Sequence, residues 1–227
     1  PYIDRIRAEI INNQEVMAAK AATGQVDFAS YSLKPQDFPI FKLGEKTAGI
    51  KVHVWNRLHG SDVIIQPNLN IDKPKLRAVF NNLTFRKALS VAINREEMNS
   101  IIYFNQGTPR QATVIPTSKC YEPEFATAYT DYNPEQSNKW LDQMGLIDLD
   151  EDGLRDYPDG EQFTVTLEYI DFESPKDITL ELVTSYWREV GLDIRLKQVD
   201  NALQTYPATA GLMEITVWHP APPTDLF

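Results

Sequence analysis

The stretch that decides the fold reads Phe85-Arg86-Lys87-Ala88-Leu89-Ser90-Val91-Ala92-Ile93-Asn94-Arg95-Glu96-Glu97-Met98. Phe85, Leu89, Ala92 and Ile93 recur at helical spacing and make one apolar stripe beneath a charged face. Asn94 then caps a second helix, and Glu97, three residues on, is placed to reach back to the cap's own N–H. Taken alone, the pair is a packing unit: a buried helix running into a capped one.

Working outward, the segments alternate between strand and helix patterns. Toward the amino end, Ile3–Ile11 alternates loosely and predicts a strand. Asn12 with Glu15 predicts the cap of a helix over Gln14–Thr23, which Gly24 ends. Val26–Tyr31 predicts a second strand, so the opening reads β-α-β. Ile50–Asn56 and Val63–Leu69, rich in Val and Ile, predict two more strands. Beyond the helix pair, Gly107, Pro109, Pro116 and Pro123 mark an extended connection over Asn105–Tyr132.

Asn133-Pro134-Glu135-Gln136 is a strong helix start, and Ser137, Trp140, Leu141 and Met144 supply its buried stripe. Phe163, Val165, Leu167 and Tyr169 point to one side of a strand. Leu180, Val183, Trp187 and Val190 stripe a helix that stops at Gly191, and Leu192, Ile194 and Leu196 alternate with Asp193, Arg195 and Lys197 in a half-exposed strand. Strand–helix–strand order predicts α/β layering.

The 227 residues suffice for one large or two small domains with a sizeable core. A formal net charge of -10 argues against nucleic acid as a partner, since phosphate binding needs a concentrated Lys/Arg surface. No apolar run approaches a membrane span, and no signal peptide is visible at Pro1. The start at Pro-Tyr-Ile-Asp and the end in a Pro-rich stretch are expected of a processed or excised segment. Cys120 is the single cysteine, so no internal disulfide framework exists.

The string FRKALSVAINREEM resembles the signature helix pair of the bacterial extracellular solute-binding proteins, family 5. Further matches follow in the family's order. Pro1-Tyr2-Ile3-Asp4-Arg5-Ile6 with Gly24-Gln25-Val26-Asp27-Phe28 is similar to its opening unit. Trp140–Gly145 with Asp152-Gly153 and Pro158-Asp159-Gly160 is similar to its acidic stretch. Trp187–Ile194 is similar to its helix-to-strand turn.

The resemblance implies a type II periplasmic-binding-protein-like α/β fold, a mixed sheet flanked by helices. Residues 1–55 would be the end of a first lobe with the hinge strand, and 56–227 most of a second lobe, incomplete at its C-terminal end. The implied function is solute capture for an ABC importer. That means an extracytoplasmic, non-enzymatic monomer in the periplasm or on the cell surface as a lipoprotein, binding oligopeptide or oligosaccharide by lobe closure and docking on permease subunits. No cofactor is required.

Peptide-binding members place a Trp-bearing strand near the ligand backbone, followed by an Asp for the peptide amino terminus. The matching segment is Glu214–Pro220. Trp218 fits, but His219, Pro220 and Ala221 stand where that Asp would be. Val217, Trp218 and His219, with Asn56 and Arg57 near the hinge, are therefore the expected ligand-facing residues, and peptide and saccharide both stay open.

One motif stands apart from this. Asp148, Asp150, Asp152, Asp156 and Asp159 occupy positions 1, 3, 5, 9 and 12 of a twelve-residue window, with Gly153 at position 6 and the Leu154 carbonyl at position 7. This is the spacing of a calcium loop, with Asp in place of the usual last Glu. Six acids and one base give the window a net charge of -5. The expectation is a structural calcium ion, set against a solvated acidic turn. Catalytic patterns are absent: His53, His59, His219 and Cys120 have no metal spacing, and no GxSxG, HExxH or phosphate loop occurs. Two rival readings remain at this point. One is a carbohydrate hydrolase using a carboxylate pair such as Glu122 and Glu124, and the other is a calcium-stabilised interaction domain.

Overall fold

The computed structural model describes residues 2–11, 13–30, 33–55, 60–171, 174–200 and 210–219. The chain divides into two compact units, Pro1–Asn56 and Arg57–Phe227.

The first unit holds α1 (Gln14–Ala22), a 3-10 turn (Pro35–Asp37) and α2 (Phe38–Thr47). The α1 cap is Asn13, whose side chain accepts the Val16 N–H at 3.0 Å, rather than Asn12, which lies outside the described residues. Ala18, Ala21 and Ala22 pack on Phe41. At Gly44 the helices approach so closely that a Cβ would stand 2.3 Å from the Ala22 carbonyl oxygen. The described residues of the segments Ile3–Ile11, Val26–Tyr31 and Ile50–Asn56 form no strands. The predicted β-α-β opening is thus corrected to two helices with extended flanks. Alternation alone makes no strand; a neighbouring strand must take the N–H and C=O groups, and Ile3, Ile6 and Ile10 instead stand exposed.

The second unit is built on a four-stranded sheet in the order β1-β4-β2-β3: β1 (Ile64–Pro67), β2 (Thr164–Tyr169), β3 (Asp193–Gln198) and β4 (Ile215–Trp218). β2 pairs in parallel with β3, from Thr164 opposite Asp193 to Tyr169 opposite Gln198, and in parallel with β4 at Leu167–Ile215 and Glu168–Thr216. β1 closes the other side antiparallel to β4, Ile64 opposite Trp218. Val165, Leu167 and Tyr169 are buried on one side of β2 as the alternation predicts, while Glu168 on the other pairs with Lys197 at 2.6 Å.

Helices complete the unit. They are α3 (Pro74–Asn81), α4 (Leu83–Val91), α5 (Arg95–Tyr103), the short α6 (Pro123–Thr127), α7 (Pro134–Gln143) and α8 (Lys176–Glu189). The predicted stripes point inward: Phe85 and Leu89 of α4, Leu141 of α7, and Leu180, Val183 and Trp187 of α8 join one core with Phe163 and Ile215. Phe85 stacks edge-on against Phe163 at 5.7 Å, and the Trp187 indole N–H donates to the Leu89 carbonyl at 2.9 Å.

Asn94 caps α5 as predicted, its side chain accepting the Glu97 N–H at 3.1 Å. The Glu97 carboxylate does something else: it accepts from the Asn94 side-chain amide at 3.1 Å and from the Tyr186 hydroxyl of α8 at 2.9 Å. A tertiary donor thus engages the acid expected to close the box.

Arg155 anchors the carboxyl side of the unit. Only 7% of it is exposed. Its guanidinium donates to Val190 O, Asp142 Oδ1 and Asn138 Oδ1, each at 2.7 Å, and to Leu146 O. Its main chain receives Phe163 N–H at 2.9 Å and donates to Gly191 O at 2.8 Å. Gly191, at φ +80°, lies against this side chain, where a Cβ would sit 3.0 Å from Arg155 Cγ.

Two outcomes follow from this packing. Arg155→Met should lower stability by about 3 kcal/mol in urea denaturation, because several buried carbonyls lose their donor. Asp142→Asn, at an exposed partner, should cost less than about 1 kcal/mol. The Tyr157 phenol, packed on Phe163 at 5.2 Å, is pushed up to about 12, first by burial and then by the Glu161 and Glu214 carboxylates. The folded state therefore keeps a proton that the unfolded chain releases near 10, so stability falls as pH rises from about 10 to 12. Tyr157→Phe should remove that part of the loss in alkaline unfolding curves.

Candidate functional site

β2 is flanked on one side by β3, reached through α8, and on the other by β4. In open α/β sheets the crevice outside the carboxyl ends of strands whose connections diverge this way is where ligands bind. At that end β2 stops at Tyr169, β4 stops at Trp218, and α8 begins at Lys176.

Trp218 is 39% exposed, a high value for so large a ring at the end of a central strand. The Lys176 ammonium lies 5.0 Å from its ring centroid, and the His219 ring lies 5.1 Å away, tilted by 33°. Lys176 is 1% exposed, and the neighbouring hydroxyls Ser174 Oγ and Thr179 Oγ1 are buried without a hydrogen-bond partner among the described residues. The Tyr169 phenol is pushed up from its ordinary value by burial first, then by Asp171, Asp177 and Glu181. Trp218 thus presents part of its indole to solvent, with the His219 ring and the buried Lys176 ammonium against it, an arrangement suited to stacking and hydrogen bonding.

Val217, one residue before Trp218, sends its side chain into the core and is 1% exposed. Asn56 and Arg57 lie outside the described residues. Sequence reasoning missed Lys176; its signal was its place at the start of the helix that follows a central strand. Concavities of about 180 and 370 Å³ lie around Arg95 and Thr130 and around Asn68 and Met213, and Trp218 lines neither.

The acidic loop connects α7 to β2, through single bridges pairing Ile147 with Asp156 and Asp156 with Gln162. It precedes β2, so it lies at the strand's other end from Tyr169. Of the predicted ligands, Asp148, Asp150 and Asp156 converge, with one oxygen of each within 4.8 Å of the others. Asp152 is engaged elsewhere: one oxygen accepts the Leu154 N–H at 2.7 Å and the other the Gln162 side-chain amide at 3.1 Å. Asp159 is ion-paired with Lys75, which also meets Glu161 at 2.6 Å, and Lys75 holds the Asp159 carboxyl below its usual range. Leu154, expected to ligate through its carbonyl, donates its N–H to Asp152.

Known proteins share this architecture. Residues 1–225 match the family described as bacterial extracellular solute-binding proteins, family 5 Middle. The chain is 24% identical over 200 residues to the oligopeptide-binding protein AppA of Bacillus subtilis, covering 88% of this chain and 34% of that protein. It is 25% identical over 203 residues to the glutathione-binding protein GsiB of Salmonella typhi, covering 88% and 34%. Among solved structures it superposes on an oligopeptide-binding protein OppA with a TM-score of 0.74 at 31% identity, covering 92% of this chain and 34% of that one.

A mannohexaose-bound periplasmic oligopeptide-binding protein of Thermotoga maritima gives a TM-score of 0.72 at 21% identity, covering 92% and 38%. The chain therefore spans about a third of the length of the curated relatives it matches, and its fold is that of the type II periplasmic-binding proteins. With the signature helices, the sheet order and the family match in agreement, this chain belongs to the bacterial extracellular solute-binding proteins, family 5.

Proposed function

We propose that this chain supplies one wall of a solute-binding cleft in the capture protein of an ABC importer. That protein would work outside the cytoplasm, in the periplasm or tethered to the cell surface, hold an oligopeptide or oligosaccharide without altering it, and deliver it to permease subunits. The observation that carries this reading is the half-exposed Trp218 at the diverging carboxyl ends of β2 and β4, flanked by His219 and Lys176. A part-exposed indole at the end of a strand offers a stacking face beside main-chain groups, and stacking and main-chain hydrogen bonding are the two means by which such a wall holds sugar or peptide. Relatives named for oligopeptides and a fold neighbour holding mannohexaose support both solute classes.

Melting curves with panels of oligopeptides and oligosaccharides test this. A bound solute at a hundred times its dissociation constant should raise the melting temperature by about 5–10 °C, and indifference to both panels would count against capture. Trp218→Ala should weaken the bound solute at least tenfold while moving the unliganded melting temperature by less than about 2 °C, since the ring is half in solvent. Val217→Ala should do the reverse, costing about 2 kcal/mol of stability through its core cavity.

A further inference from the structure

We infer that Lys176 is a positioning residue for Trp218: its buried ammonium fixes the tilt of the indole offered to a solute, a role that rests on the capture reading. Trp218 ends β4, and the ladder holds its main chain opposite Ile64 of β1. The ladder does not hold its ring. An indole turns about two side-chain bonds, and part of this one stands in solvent. The ring meets the His219 imidazole, 5.1 Å away, and the Lys176 ammonium, 5.0 Å from the centroid. His219 is the next residue and moves with the same strand end. Lys176 belongs to α8, whose Leu180, Val183 and Trp187 are locked in the core. It is therefore the contact that can fix the ring against the body of the unit.

Lys176 is out of place on two local counts. The first turn of a helix favours acids, because unpaired N–H groups and the helix dipole put positive charge there. A lysine head is also seldom buried. Yet Lys176 opens α8, follows the Pro175 cap, which makes no side-chain hydrogen bond, and is 1% exposed. The hydroxyls of Ser174 and Thr179 beside it are buried without a hydrogen-bond partner among the described residues, so they do not pin the helix start either. The contact with Trp218, made across the fold, accounts for a residue that local helix chemistry disfavours.

Indole is the best aromatic partner for an ammonium, and removal from water strengthens the pair. The attraction is directional, greatest with the cation over the ring, so it favours one tilt. Buried against the ring, the ammonium is closed to solvent, and its effect on a solute passes through Trp218.

The experiment uses the full chain. Lys176→Met keeps the stem and removes the charge, Lys176→Arg keeps a cation, and each is also made in a Trp218→Ala chain. Near-ultraviolet circular dichroism, taken as the difference from the matching Trp218→Ala chain, isolates the Trp218 band, which is strong when the ring is fixed. Lys176→Met should cut that band to less than about half the parent's, and Lys176→Arg should keep most of it. The best solute from the two panels should bind Lys176→Met about tenfold more weakly, and Lys176→Arg within about threefold of the parent. In the Trp218→Ala chain, Lys176→Met should change affinity less than about twofold, because the ring it acts through is gone. Should Lys176→Met not fold, Lys176→Gln takes its place in the same comparisons.

A Trp218 band unchanged in Lys176→Met would overturn the inference. So would a loss of affinity that persists in full without Trp218, since Lys176 would then touch the solute itself. A parent chain that binds neither panel counts against capture, and the circular dichroism then decides for or against Lys176 by itself.

Discussion

The second unit turns on one buried guanidinium. Arg155 gathers carbonyls from the end of α8 and the segment after α7, and it holds side chains of α7 as well. Its own main chain pairs with Phe163 at the entry to β2 and with Gly191 at the turn into β3. Burying a charge is expensive unless its donors are satisfied, so the group tolerates essentially one arrangement of these pieces. That arrangement sets where the central strand begins and where the crossover helix ends. The acidic segment beside it inherits its shape from the same constraint, because Arg155 faces inward while Asp156 faces the other acids.

A second constraint acts at the centre of the sheet. β4 pairs with β2 over only two residue pairs, and Glu214, just before β4, extends the junction by side chain. Its Oε2 accepts the Thr166 N–H at 2.5 Å, while Oε1 pairs with Lys73. A carboxylate thus takes a main-chain donor that a longer ladder would have paired. With β4 held this way, its last residue emerges at the sheet's carboxyl end. Trp218 is half exposed there because the strand stops at the crevice, whereas Val217, one residue earlier, faces the core. Position in the topology, more than residue type, separates the binding candidate from the packing residue.

The helices were largely readable because their signals are local. Asn133, Pro134 and the stripe from Ser137 to Leu141 carry a complete start and inner face, and α7 forms as written. The α4 and α5 pair behaved likewise, down to the Asn94 cap. The opening strands were misread because Ile3, Ile6 and Ile10 carry the pattern of a strand but acquire no neighbour here. Strand identity is a property of a pair of segments, and a pattern in one of them is half of the information. The same limit applies to Asp193, read as an exposed strand position: it is buried because Thr164, opposite it in the ladder, donates to it at 3.0 Å and Arg195 pairs with it at 2.8 Å.

By itself the sequence determined the α/β class, the helix pair and its caps, the buried faces of β2 and α8, and the family, because periodicity, capping and motif order are written over short spans. Only the tertiary structure decided the strand order, the company Lys176 keeps with Trp218, and which acids of the loop converge. Spacing placed Asp152 and Asp159 beside the others, but donors distant in the chain or across the loop, Lys75 and Gln162, drew them aside. Side-chain partners chosen across the fold cannot be read from separation along the chain, since a charged group takes the donor that folding brings nearest.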